Sequence, residues 1–135
     1  MANVLMTFGF SWMVVAAIIG FLLAKRHETT LGQLEKIAAT GNLAEYHRVN
    51  DGYKWNKTIH AHAFLFSVVA VLVGLAIPRM AYSGMVTDGL AIALMCSAAV
   101  WTIGGIRQIV PIMAIGDVLL LGSVATAALG LARAL

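Results

Sequence analysis

The chain reads as an all-α integral membrane protein, a four-helix bundle with a structured, charged loop between its first two helices. Composition gives the first reason: 61% of the residues are apolar and only 11% charged, where a soluble domain carries roughly a quarter charged. The second is the presence of four apolar runs, at about Val4–Ala24, Ile59–Ile77, Met85–Ile106 and Ile109–Ala132. At about 1.5 Å per residue, each is long enough to cross a hydrocarbon core of roughly 30 Å. The third is the absence of the apolar–polar alternation that a barrel strand requires. Helices satisfy their own backbone groups in lipid, so helices they should be. The chain then forms a single membrane domain over residues 1–135.

The first run lacks a basic leader and is halted by Lys25-Arg26, which describes a retained span rather than a signal peptide. Residues 25–58 follow as a loop with internal structure. Thr30-Leu31-Gly32-Gln33 has the form of a capping box, with Leu31, Leu34, Ile37 and Ala38 at helical spacing up to Gly41. Asn42-Leu43-Ala44-Glu45 repeats the start signal, and Asn50-Asp51-Gly52 has turn composition. Two readings stay open: an amphipathic helix lying on the membrane surface, or a lid over a site at that end of the bundle.

The net charge of +3 does not describe a nucleic-acid surface. The basic residues gather beside the first two spans as Lys25, Arg26, Lys36, Arg48, Lys54 and Lys57, with Arg107 in the third connection. Only Arg79 and Arg133 oppose them. Positive-inside logic puts the 25–58 loop in the cytoplasm and both termini outside, as in a bacterial inner membrane.

Pro78 closes the second span and Gly84 sits in the turn after it. Gly104-Gly105 and Pro111 bracket the tight third connection, Pro111 being tolerated in a first helical turn. In the fourth span Gly122, Thr126 and Gly130, with Ser123 and Ala127, form a small-residue ridge for close packing within or between chains. Cys96, alone in an apolar run, reads as a small core residue, with neither a disulfide framework nor a zinc spacing around it.

The chemistry gathers where the charged loop becomes membrane. His60-Ala61-His62 opens the second span, and ionisable groups at such an edge mark a site. An uncharged imidazole ligates a transition metal or haem iron. Two residues on a helix span about 200°, so His60 and His62 face opposite sides and cannot share one metal within a helix. His27 and His47 read as solvated loop residues. Asp117 lies about 12 Å into the fourth span, and a carboxylate there needs a partner. An imidazole N–H or Arg107 would supply one. Tyr46, Tyr53 and Trp55 read as interface anchors. Phe64, one turn beyond His60, either anchors or walls a flat ligand. Phe66 and Trp101 complete the aromatic set.

With Val4-Leu5-Met6-Thr7-Phe8 opening the first span, Trp55 shortly before His60, Pro78 eighteen residues later and Gly116-Asp117 in the last span, the chain resembles styrene oxide isomerases. The likeness runs over most of the chain, and the Trp…His…Pro arrangement is its most specific part. It implies a homotrimer of four-helix subunits binding haem b, with ferric iron as a Lewis acid that converts an epoxide to an aldehyde. It also implies His60 as the axial ligand, with His62 the second choice. Phe64, Trp101, Asp117 and Arg107 would then surround the cofactor, and the substrate would be small and hydrophobic. Two departures stand out. Phe66 replaces the family's Asn, and Trp101 and Gly105 occupy the neighbourhood of its third-span Tyr.

Three other readings compete with this one. Membrane glutathione transferases share the size and loop, but Lys57, His60 and Phe64 stand where their Arg-x-x-Asn-x-x-Glu signature would be. An accessory subunit of a larger membrane complex would use the helix-four ridge as its contact. A copper site of His60, His62 and methionines lacks any Met-x-x-Met spacing.

Overall fold

The computed structural model describes residues 1–135 and is all-helical: α1 (Ala2–Ala39), α2 (Leu43–Ala76), α3 (Gly84–Arg107) and α4 (Val110–Ala132), with a 3₁₀ turn at Ile77–Arg79. All four helices are long and apolar enough to cross a membrane. Large apolar side chains such as Phe21, Val118 and Leu121 stand exposed on the outer surface, as a lipid-facing surface allows and a watery one does not. The expected class of membrane helix bundle is what the chain forms.

The 25–58 segment is neither a separate surface helix nor a lid. It consists of the continuations of α1 and α2, joined by the short turn Thr40–Asn42. At about 1.5 Å per residue α1 is roughly 57 Å long, well beyond a core of about 30 Å, so the hairpin projects from the apolar zone. The helix start expected at Thr30 does not occur. Thr30 Oγ1 instead donates back to the Arg26 carbonyl at 2.9 Å, the bond a hydroxyl makes inside a continuous helix. Asn50-Asp51-Gly52 is likewise helical rather than a turn. One mid-helix glycine costs only about 1 kcal/mol, and Tyr53 and Trp55 just beyond it are tied to α1 and α3. The start signal at Asn42 does operate, since its side chain accepts the Glu45 N–H at 3.2 Å. Gly41, at φ 71°, makes the reversal that precedes it. Arg48 pairs with Glu45 at 2.6 Å and holds that exposed carboxyl below its usual range.

The helices pack as two hairpins, α1 on α2 and α3 on α4, joined chiefly where α2 meets α3. That junction holds the core: Trp101 and Phe66 are 1% and 2% exposed, with Leu94, Ala98 and Leu120 in the same cluster. The α3–α4 approach is set by glycine. A Cβ on Gly116 would stand 2.9 Å from the Trp101 backbone nitrogen, and one on Gly104 would stand 2.8 Å from that of Met113. The ridge expected on α4 is divided. Ser123, Ala127 and Gly130 face inward, Gly130 against Tyr82, whereas Gly122 meets open space. Gly104 and Gly105 belong to α3 itself, and the turn after it is made by Gln108 at φ 57°. The Ile109 N–H closes that turn on the Gly104 carbonyl at 2.8 Å, as a helix C-cap does. Cys96 is exposed on α3 and not a core residue, because a small thiol sits as readily on an apolar outer surface.

Candidate functional site

α2 carries its two membrane-edge histidines to opposite neighbours. His60 turns toward α1, where its Nδ1 lies 2.9 Å from the Ala16 carbonyl oxygen. A carbonyl only accepts, so the ring proton is assigned to Nδ1, and Nε2 keeps its lone pair. The ring lies directly against Gly20, where a Cβ would come within 2.6 Å of His60 Cε1. Gly20 is therefore the place on α1 that makes room for the imidazole. Half-buried, His60 lines an open groove of about 680 Å³ between α1 and α2.

The groove has an apolar stretch formed by Leu23, Ala24 and Ala61, and a polar stretch formed by His27, Tyr53, Lys57 and Thr58. No carboxylate lines it. His27 Nδ1 and the Tyr53 hydroxyl are 2.5 Å apart, and their rings stack at 6.0 Å between centroids. Lys57 Nζ sits 5.1 Å from the centre of the Tyr53 ring. Sequence reasoning treated His27 as solvated and Tyr53 as an anchor, and it missed this cluster. A signal was there: Gly20 to His27 and Tyr53 to His60 are both seven-residue steps, which keep a residue on one helical face two turns away.

His62 turns toward α3. Its ring lies flat on the Trp101 indole, with centroids 4.1 Å apart and planes within 6°. Its Nδ1 bonds the Thr58 carbonyl of its own helix at 3.0 Å. Phe66 packs against the same indole, 6.0 Å between centroids. The rotation expected from the sequence thus separates the two histidines into a groove residue and a packed one.

Of the residues that the resemblance would set around a cofactor, none joins His60 in its groove. Trp101 is buried against His62 and Phe66. Phe64, 48% exposed, belongs to the outer surface. Arg107 is exposed at the end of α3 with no ion pair, and Asp117 is half-buried on α4. Asp117 makes no hydrogen bond or ion pair to an imidazole or to Arg107; the Ala16 carbonyl holds the His60 ring instead. The reason is architectural, since α1 covers the His60 face of α2 while α4 packs mainly on α3. Nor do three or more His, Cys, Asp or Glu side chains converge anywhere on the chain; the groove itself carries two imidazoles, His60 beside the apolar walls and His27 at the polar end. Comparisons with models of protein families, with curated proteins and with solved structures find no match.

Proposed function

We propose that the chain is a haem b membrane protein of the styrene oxide isomerase kind, in which His60 would hold the iron. One observation carries the reading: the hydrogen bond from His60 Nδ1 to the Ala16 carbonyl. It fixes the tautomer in which Nε2 is the bare nitrogen, and a carbonyl on the far ring nitrogen also raises the basicity of a ligating imidazole. The residues suit such a group in three respects: the His60 imidazole, apolar walls beside it, and a cation within the same groove. Bound there, a haem would supply Lewis-acid chemistry of the kind that opens an epoxide toward an aldehyde.

The chain's own residues do the rest. Ala16 and Gly20 orient the ring from one side, and the two contacts act together because they lie one helical turn apart on α1. Leu23, Ala24 and Ala61 offer apolar surface to a small hydrophobic substrate. Phe66 and Trp101, standing where the family carries polar residues, are packed with His62 on the other face of α2. Substrate orientation therefore differs here from the isomerases, and the haem is the more conservative part of the proposal. A homotrimer in a bacterial inner membrane, with the 25–58 hairpin cytoplasmic and both termini outside, completes the reading.

Purified protein in detergent should show a Soret band with iron bound, lost in His60→Ala and retained in His62→Ala. A protein that takes up no haem when supplied with it, or a band that survives His60→Ala, would sink the proposal. Consumption of an aryl epoxide by the loaded wild type tests the chemistry separately.

A further inference from the structure

We infer that the polar end of the groove, formed by His27, Tyr53 and Lys57, recognises a carboxylate carried on an otherwise apolar ligand. The inference rests on the groove being the ligand site, but not on the ligand being haem. Tyr53, Lys57 and His60 lie at i, i+4 and i+7 on α2, one stripe of a helix. His27 meets that stripe from α1. The Tyr53–His27 contact therefore stands about 10 Å along the axis from His60. A ligand reaching His60 from this end passes between apolar walls with its other end among these three side chains.

Their hydrogen bonding leaves donors free and no acceptor to consume them. The Tyr53 hydroxyl and His27 Nδ1 are hydrogen-bonded to each other, and whichever of them donates, one hydrogen of the neutral pair stays free, on the second ring nitrogen of His27 or on the Tyr53 hydroxyl. Lys57 forms no ion pair; its ammonium rests over the Tyr53 ring, and no acidic side chain lines the groove. The Lys57 ammonium and that free N–H or O–H are two directional donors, the number a carboxylate's two oxygens require. At the edge of an apolar phase, a lone cation with no counter-charge holds a strong attraction for an anion. The stacking of His27 on Tyr53 keeps both groups in place without a ligand.

Full-length protein in a non-ionic detergent tests this with dodecanoate, its methyl ester and dodecyl phosphate, binding being read by calorimetry. Dodecanoate should bind about tenfold more tightly than the ester, as a charge-assisted hydrogen bond predicts. Lys57→Gln and His27→Gln should each abolish most of that preference, and Lys57→Arg should retain it. A parallel titration with haem and with haem dimethyl ester asks whether tetrapyrrole carboxylates use the same donors, and the same variants should narrow that difference too. Equal binding of acid and ester, a preference untouched by both Gln variants, or stronger binding of the phosphate would overturn the inference. A dodecanoate preference that needs Lys57 in a protein that takes up no haem supports it while the iron reading fails. A His60-dependent Soret band in a protein indifferent to ligand charge does the opposite. Lys57 is exposed, so its substitutions leave the helix packing intact.

Discussion

The two faces of α2 hold the same side chain, two residues apart, in opposite circumstances. On the α1 face the His60 ring is held by a carbonyl of another helix and by the space at Gly20, with an open groove beside it. On the α3 face His62 bonds a carbonyl of its own helix and lies flat on a buried indole. On this second face the Trp101 Nε1 is buried without a hydrogen-bond partner. A histidine at a membrane edge is thus a site residue or a core residue according to which helix reaches it.

The contrast is broken or sharpened most strongly by adding one methyl group to each side. Gly116→Ala drives a Cβ against the Trp101 backbone nitrogen and the Ser97 carbonyl at 2.9 and 3.0 Å. Neither can move without shifting a helix, so the variant should lose about 3 kcal/mol of stability. Gly20→Ala meets only the far end of the His60 side chain. It should cost about 1 kcal/mol, yet it displaces the ring from Ala16 and should weaken ligand binding at His60 by roughly tenfold, the equivalent of one hydrogen bond of about 1.4 kcal/mol. Denaturation in detergent and ligand titration read the two quantities. If Gly20→Ala proves the more destabilising, or leaves binding intact, the α1 face is not the adaptable one.

How far the sequence revealed this contrast depended on range. The four spans were visible because lipid demands long apolar runs, and the rotation separating His60 from His62 is a property of any helix. What covers each face was not visible. The groove needs α1 and α2 to continue as helices past the apolar zone, yet Thr30 and Asn50-Asp51-Gly52 carry local stop-and-start signals. Contacts of Tyr53 with His27, and of Trp55 Nε1 with the Gly105 carbonyl at 2.8 Å, override those signals from a distance. Asp117 shows the same limit. Its depth follows from counting residues, but its neighbours follow from helix pairing, which set α1 rather than α4 against His60.

His62→Ala should separate the faces at a lower energy. It removes a stacked pair, about 1 kcal/mol beyond the buried area lost, and enlarges the space beside Trp101. Unfolding should occur at lower temperature, while the affinity of the groove for its ligand stays within about twofold, because the Ala16 bond and the Gly20 contact belong to the other side. A large loss of binding would mean that the α3 face positions His60 through the helix between them.

The smallest effect should come from the end of the closed hairpin. Gln108 holds a left-handed conformation at φ 57°, which costs a residue with a Cβ about 1 kcal/mol and glycine almost nothing. The turn is otherwise well made, with the Gln108 and Ile109 N–H groups on the Gly105 and Gly104 carbonyls at 3.1 and 2.8 Å. Gln108→Gly should therefore raise stability by about 0.5 kcal/mol, the strain relieved outweighing the extra freedom of the unfolded chain. Because the Gly105 carbonyl also accepts Trp55 Nε1 from α2, a firmer turn tightens the closed face where it touches the helix bearing both histidines. Unchanged ligand binding in that stabilised variant would mean that rigidity on the α3 side does not reach the groove. Weakened binding would mean that the groove works by the give that the closed face still allows α2.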